Sequence, residues 1–160
     1  MLSNRPGHGT ILSRMEQRTG TTLVELLLAL CLLGILTGLA APAMGRGLDR
    51  FAARAARDEL AAALSRTRSA AVALGGAGLV VDPGRAVFWI RSATGDTVLS
   101  PVDLLARHGV GMEVARAAGP FELTYDALGI GRMTSRTIRL VRGAAVATVT
   151  VSAYGRARKW

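Results

Sequence analysis

Few residues in this chain combine a type and a spacing that could do chemistry. His108 is the only histidine beyond the polar first segment, so a two-histidine metal site is excluded there, and no metal or other cofactor is expected. Beside Gly109 it reads as a polar loop residue. Asp82 and Asp96 stand in turn-forming stretches, where aspartate is expected for its bonds to nearby backbone. Gly129-Ile130-Gly131 is only a fragment of a dinucleotide loop and lacks the strand–helix context such a loop needs. There is no Gly-x-Ser-x-Gly nucleophile elbow. No catalytic constellation emerges, so the chain is not expected to be an enzyme. An envelope enzyme held by a signal anchor would need an active site that the sequence does not display.

Two groups do have chemical meaning. The first is Glu25, which lies inside the apolar run Leu23 to Ala41 and is its one charge. A carboxylate in hydrocarbon costs about 2–4 kcal/mol and tends to mark function. No cation lies within helical reach of Glu25 in its own span, so a partner must come from elsewhere. The second is Gly155-Arg156-Ala157-Arg158-Lys159-Trp160, which gathers Arg156, Arg158 and Lys159 beside an aromatic. Such cations can neutralise phosphates, and a tryptophan can stack on a base; a solvated basic segment is the plainer reading.

Charge and composition set the background. The 160 residues carry a net charge of +9, almost wholly from arginine, which favours polyanionic partners or reflects an arginine-rich surface. Cys31 is the only cysteine, so no internal disulfide can form, and it reads as a small hydrophobe in the apolar run.

The elements that must position these groups follow from periodicity. Residues 1–20 are polar and basic, with Arg5, Arg14 and Arg18 against Glu16. The apolar stretch within 21–42 ends at Pro42, and about 20 such residues cross a bilayer as a helix. The basic segment should stay on the cytoplasmic side, placing the residues after Pro42 outside. Ala40-Ala41-Pro42-Ala43 could pass weakly for a secretory cleavage site, but the run is too long and carries an acid near its start. Residues 43–74 continue as an amphipathic helix. Its buried face is predicted to hold Leu48, Phe51, Ala52, Ala55, Ala56, Leu60, Leu64, Thr67, Ala71 and Leu74, and Gly75-Gly76 stops it. An Arg-rich stretch of this kind could instead lie on a membrane surface.

From residue 75 to 160 the period shortens to two. Strands are predicted at Gly78–Val81 and Ala86–Ile90 around the turn Asp82–Arg85, then near Thr97–Leu99, Gly111–Ala115 and Phe121–Tyr125. The clearest pair is Thr137–Val141 and Ala145–Val151, joined by Arg142-Gly143-Ala144. Trp89 reads as core and Trp160 as exposed. The expected class is α+β: six or so short antiparallel strands against one helix face.

Gly20-Thr21-Thr22-Leu23-Val24-Glu25-Leu26-Leu27-Leu28 resembles the prepilin (type III) signal. That resemblance implies a leader at 1–20 cut by a prepilin peptidase after Gly20. It also implies N-methylation of the new first residue, which is usually Phe and is Thr21 here. Glu25 then stands fifth in the mature chain, where it pairs with an N-terminal amine during assembly. Phe121 to Arg158 is similar to the C-terminal half of the GspH/FimT family, with an aromatic-bearing strand before a glycine loop (Tyr125, Gly129, Gly131), two strands, and a closing Gly155-Arg156. The family implies a type IV pilin-like fold and a role as a minor pseudopilin in a type II secretion pseudopilus. The implied site is the bacterial inner membrane, single-pass, with the head in the periplasm. Implied partners are other pseudopilins or pilins, the peptidase, and a secreted substrate. The family's other branch implies a minor type IV pilin that holds DNA, here through Arg156, Arg158 and Lys159.

Overall fold

The computed structural model describes residues 22–115, 117 and 119–160, and of residues 39–43 the backbone only. Two compact units divide the chain, Met1–Leu39 and Ala40–Trp160. In the first, the described residues form the opening of helix α1, whose bounds are Leu23–Leu74. The start is set by Thr22: its hydroxyl accepts from the Glu25 N–H at 3.3 Å and its carbonyl from the Leu26 N–H at 3.1 Å, satisfying donors that a helix leaves open. Every described side chain from Leu23 to Gly38 is exposed, although nearly all are apolar.

The second unit carries the rest of α1 and eight strands: β1 (Gly76–Asp82), β2 (Val87–Ser92), β3 (Thr97–Asp103), β4 (Gly111–Val114), β5 (Phe121–Asp126), β6 (Arg136–Arg142), β7 (Ala145–Val151) and β8 (Ala157–Lys159). A one-turn helix α2 (Leu104–His108) follows β3. All pairings are antiparallel, in two four-stranded sheets ordered β3-β2-β1-β5 and β4-β6-β7-β8. The α+β class with antiparallel strands holds, and the described strands number eight in two sheets against the expected six or so.

Both sheets bury one face against α1. Alternation puts Leu79, Val81, Phe88, Ile90 and Leu123 inward from the first sheet, and Ile138, Leu140, Val149 and Val151 inward from the second. The helix answers with small residues: Ala52, Ala56, Ala63, Thr67 and Ala71, all buried, around Leu60 and Leu64. Small side chains bring the backbone of a helix close to a sheet, and Thr67 spends its hydroxyl on the Ala63 carbonyl at 2.8 Å.

Several sequence expectations need correction. Leu48 and Phe51 are not core: they are 61 % and 73 % exposed, and Leu74 is exposed too. Together with Met44 they mark a second apolar stripe at spacings of four and three, turned away from the sheets. Trp89 pairs with Val80 on the outer face of the first sheet and is half-buried, while its neighbour Phe88 fills the core. His108 closes α2 rather than sitting in a loop, because Asp103 caps that helix by accepting from the Ala106 N–H at 2.9 Å. Residues Ala157–Lys159, read above as a solvated basic segment, are exposed but are also ordered as an edge strand.

Candidate functional site

Gly20 and Thr21, where the leader cut and methylation were anticipated, lie outside the described residues. Glu25 sits in the first turn of α1, exposed, with no ion-pair partner among the described residues. Carboxylates are favoured near a helix N-terminus by the aligned peptide dipoles, typically by about 0.3–1 kcal/mol. That is too little to offset burial in apolar surroundings, so a buried, ionised Glu25 needs a cation from outside its own helix. Among the described residues no helix is long and apolar enough to cross a membrane. The side chains of residues 39–43, which include the end of the apolar run, are outside that description.

The basic residues at 156–159 come together differently from their order in sequence. Strand β8 lies along β7 with Thr150 opposite Arg158 and Val149 opposite Lys159. Val149 points into the core, so Lys159 shares the inward face and reaches α1, where its ammonium lies 3.2 Å from the Asp58 carboxylate. Arg57 binds the same carboxylate at 3.1 Å and also donates to the Trp160 carbonyl at 3.3 Å. Burial works against the Asp58 charge, but hydrogen bonds from Lys159 and Arg57 outweigh it and hold the carboxyl below its ordinary 3.8. Arg158 faces the opposite side of the sheet with Thr150 and Thr137. Arg156 borders a cleft of 230 Å3 against Leu64, Ser65 and Arg68 of α1. The structure therefore splits the three cations. Lys159 is engaged internally, whereas the guanidinium groups of Arg156 and Arg158 have no ion-pair partner among the described residues.

A close packing of two backbones fixes this strand. Tyr125 is buried, donates its hydroxyl to the Gly155 carbonyl at 3.0 Å, and lays its ring against Gly155. Burial raises the phenol above its usual 10, partly offset by the charge of Arg68. Gly155 has φ +80°, in the left-handed region, and the chain at 154–155 passes so near Gly131 that neither glycine has room for a Cβ. Gly131 donates its N–H to the Tyr154 carbonyl at 3.1 Å. The preceding loop is held by Asp126, whose carboxylate accepts from the Ile130 and Leu128 N–H groups at 2.9 and 3.0 Å. The Ile130 bond is the largest influence on that carboxyl. It and the Arg132 pair exceed the opposing desolvation, so Asp126 titrates below 3.8.

A further polar network, not visible in the sequence, ties α1 to the head. Glu59 accepts from His108 at 2.8 Å and from Arg107. Arg142 donates to Asp49 at 3.0 Å and to the His108 carbonyl. Its only trace in the sequence is that Asp49 and Glu59 fall on or beside the alanine face of α1, Asp49 a heptad before Ala56 and Glu59 between Ala56 and Ala63. The described residues contain no cluster of histidine, cysteine and acidic side chains able to hold a metal ion.

No family model and no curated protein sequence matches the chain. Two solved structures do. Both are crystal structures of the type IV minor pilin FimU of Pseudomonas aeruginosa. In one crystal form the TM-score is 0.53 at 22 % identity, over 68 % of this chain and 87 % of that one. In the other it is 0.51 at 23 % identity, over 67 % and 91 %. The fold is thus that of a type IV pilin-like head on a helix.

Proposed function

Starting from a pilin-like fold, we propose that this chain is a minor fibre subunit of the bacterial inner membrane, specifically a minor pseudopilin of a type II secretion system. The role is structural rather than catalytic. Its leader is removed by a prepilin peptidase after Gly20, Thr21 becomes the methylated first residue, and the apolar helix holds the subunit in the membrane with the head in the periplasm. One observation carries the reading: a helix whose described residues Leu23–Gly38 are all exposed and almost all apolar, interrupted by Glu25 with no ion-pair partner among the described residues. An isolated helix of this kind is stable only in lipid or among other helices. A neighbour's amine, freed by the cut, gives Glu25 its counter-charge and sets register as helices bundle. The second stripe of Met44, Leu48 and Phe51 supplies further helix-packing surface beside the head.

The test is the mature N-terminus, read by mass spectrometry from cells bearing a prepilin peptidase, together with fibre incorporation of Glu25→Ala. A chain beginning at Thr21 and a variant excluded from the fibre support the reading. An intact leader, a cut near Ala41, or normal incorporation of the variant would overturn it.

A second reading, a minor type IV pilin that binds DNA, is favoured by the guanidinium groups of Arg156 and Arg158, which lack ion-pair partners among the described residues. It is weakened by Lys159, whose charge is committed to Asp58. A salt-dependent gel shift lost on neutralising Arg156 and Arg158 would favour it, and no shift at low salt removes it.

A further inference from the structure

Strand β8 is the last strand of its sheet, so one of its edges has no neighbour among the described residues. The ladder shows which groups that edge presents. Thr148 and Trp160 exchange both backbone hydrogen bonds, at 3.2 and 3.0 Å. In an antiparallel pair such exchanges recur at every second residue, so Arg158 bonds to β7 while the N–H and C=O groups of Ala157 and Lys159 point away from it. Proteins blunt such an edge with a short strand, charged side chains, a bulge, a proline or a cover. This one is three residues long and carries arginine and lysine, which guard it by charge and leave it open to a partner of opposite charge.

The space beside this edge is already shaped. Two clefts, of 230 and 290 Å3, share Ser65 and Ala157 and so form one groove between β8 and α1. It runs from Asp58 to Arg68, about 15 Å along the helix, the length of a strand of four or five residues. Ala157 has the same parity as the core-facing residues of its sheet yet is exposed, because none of the described residues covers it. Across the groove Ala62 and Ser65 are exposed as well. The surroundings are cationic: Arg156 lines the groove and Arg158 stands on the outer face of β8, neither with an ion-pair partner among the described residues, and Arg68 and Lys159 stand at the two ends. The one acid, Asp58, is shared by Arg57 and Lys159.

We propose that this groove receives an extended acidic segment of a partner protein, which adds a fifth strand to the β4-β6-β7-β8 sheet. Backbone bonds to Ala157 and Lys159 hold it in register, small side chains of the partner seat over Ala62, Ser65 and Ala157, and its carboxylates meet Arg156 and Arg158. Strand addition asks for an extended backbone with its amides free, and the charge of the rim asks for acids on it. A nucleic acid would satisfy the arginines and leave the strand edge unpaired.

The probe is a synthetic peptide alternating Glu and Val, added to the full chain in detergent micelles. Amide exchange at Ala157 and Lys159, followed by NMR, is expected to slow by at least about tenfold on saturation. Two control peptides separate the contributions: one with Lys for Glu, and one with Glu kept but alternate backbone nitrogens methylated. Neither should bind. Arg156→Glu should weaken the Glu/Val peptide by about tenfold, the scale of a charge-assisted contact. Ala157→Pro removes an outward N–H without touching the β7 ladder and should abolish the protection. Binding that survives backbone methylation would reduce the effect to charge and overturn strand addition. So would absence of protection at Ala157 and Lys159, or binding of oligothymidylate at these arginines where the peptide fails to bind.

Discussion

Gly155→Ala tests the packing that fixes the end of the head. An added Cβ at residue 155 would stand 3.0 Å from Tyr125 Cζ and closer still to Cε1, with the Gly131 Cα at 3.2 Å. The ring cannot withdraw easily, since Tyr125 is 3 % exposed and its hydroxyl is bonded to the same residue. The left-handed backbone costs an L-residue about 1–2 kcal/mol, and overpacking a rigid site costs about 1–3 kcal/mol. Against this, replacing glycine removes unfolded-chain freedom worth about 0.4–1 kcal/mol. The net loss is about 2–4 kcal/mol, or roughly 10–25 °C in Tm for a head of this size. Thermal melts followed by tryptophan fluorescence measure it without interference from the apolar helix, because Trp89 and Trp160 both belong to the head. Repeating the substitution in a Tyr125→Leu background separates crowding from backbone strain: with the ring gone, the cost of Gly155→Ala should fall by about 1–3 kcal/mol. An unchanged Tm, or an equal loss in both backgrounds, would refute the reasoning.

Two other expectations address different parts of the molecule. Phe51→Glu should leave the Tm of the head within about 2 °C, because an exposed site away from the core moves stability by no more than about 0.5 kcal/mol, yet it should block fibre incorporation; a destabilised head would mean that Phe51 is core after all. Asp126 titrates below its ordinary 3.8, so its contribution is present above that pH and is lost as pH falls through the lower folded value. Asp126→Asn, which keeps an acceptor for Ile130 and Leu128 but loses the Arg132 pair, should flatten the urea midpoint between about pH 4 and pH 2, and a profile as steep as the parent's would contradict this.

The hairpin Arg136–Arg142 with Ala145–Val151 was legible because its alternation is strict and each buried residue touches the core. Helix α2 was not: five residues are too short for a helical period, and only the cap pair Asp103 and Gly109 marks it. Strand β8 escaped for a different reason. All three of its residues are exposed, so it carries no burial pattern, and its place is set by Asp58 and Arg57, about a hundred positions upstream. The misplacement of Leu48 and Phe51 is the most instructive. Hydrophobicity ranks phenylalanine above alanine as core, but the sheets need close approach, so Ala52, Ala53 and Ala56 win the inner face. A helix with two apolar surfaces defeats a rule that expects one. Glu25 stood out without any structure, since a lone acid in an apolar run is conspicuous from composition alone.

The union of β8 with α1 also governs when the head can finish folding. Lys159 meets Asp58 across 101 positions, and Arg57 meets Trp160 across 103. A nascent chain emerging from the ribosome can wind α1 early, but it cannot close this seam until residues 157–160 have been made. Until then the outer edge of β7 lacks its partner strand, an unpaired edge of the kind that invites chaperones and proteases. A message cut short before codon 155 yields a chain in which Tyr125 has lost its bonding partner and the second sheet its border, so quality control can discard it before it reaches any assembly.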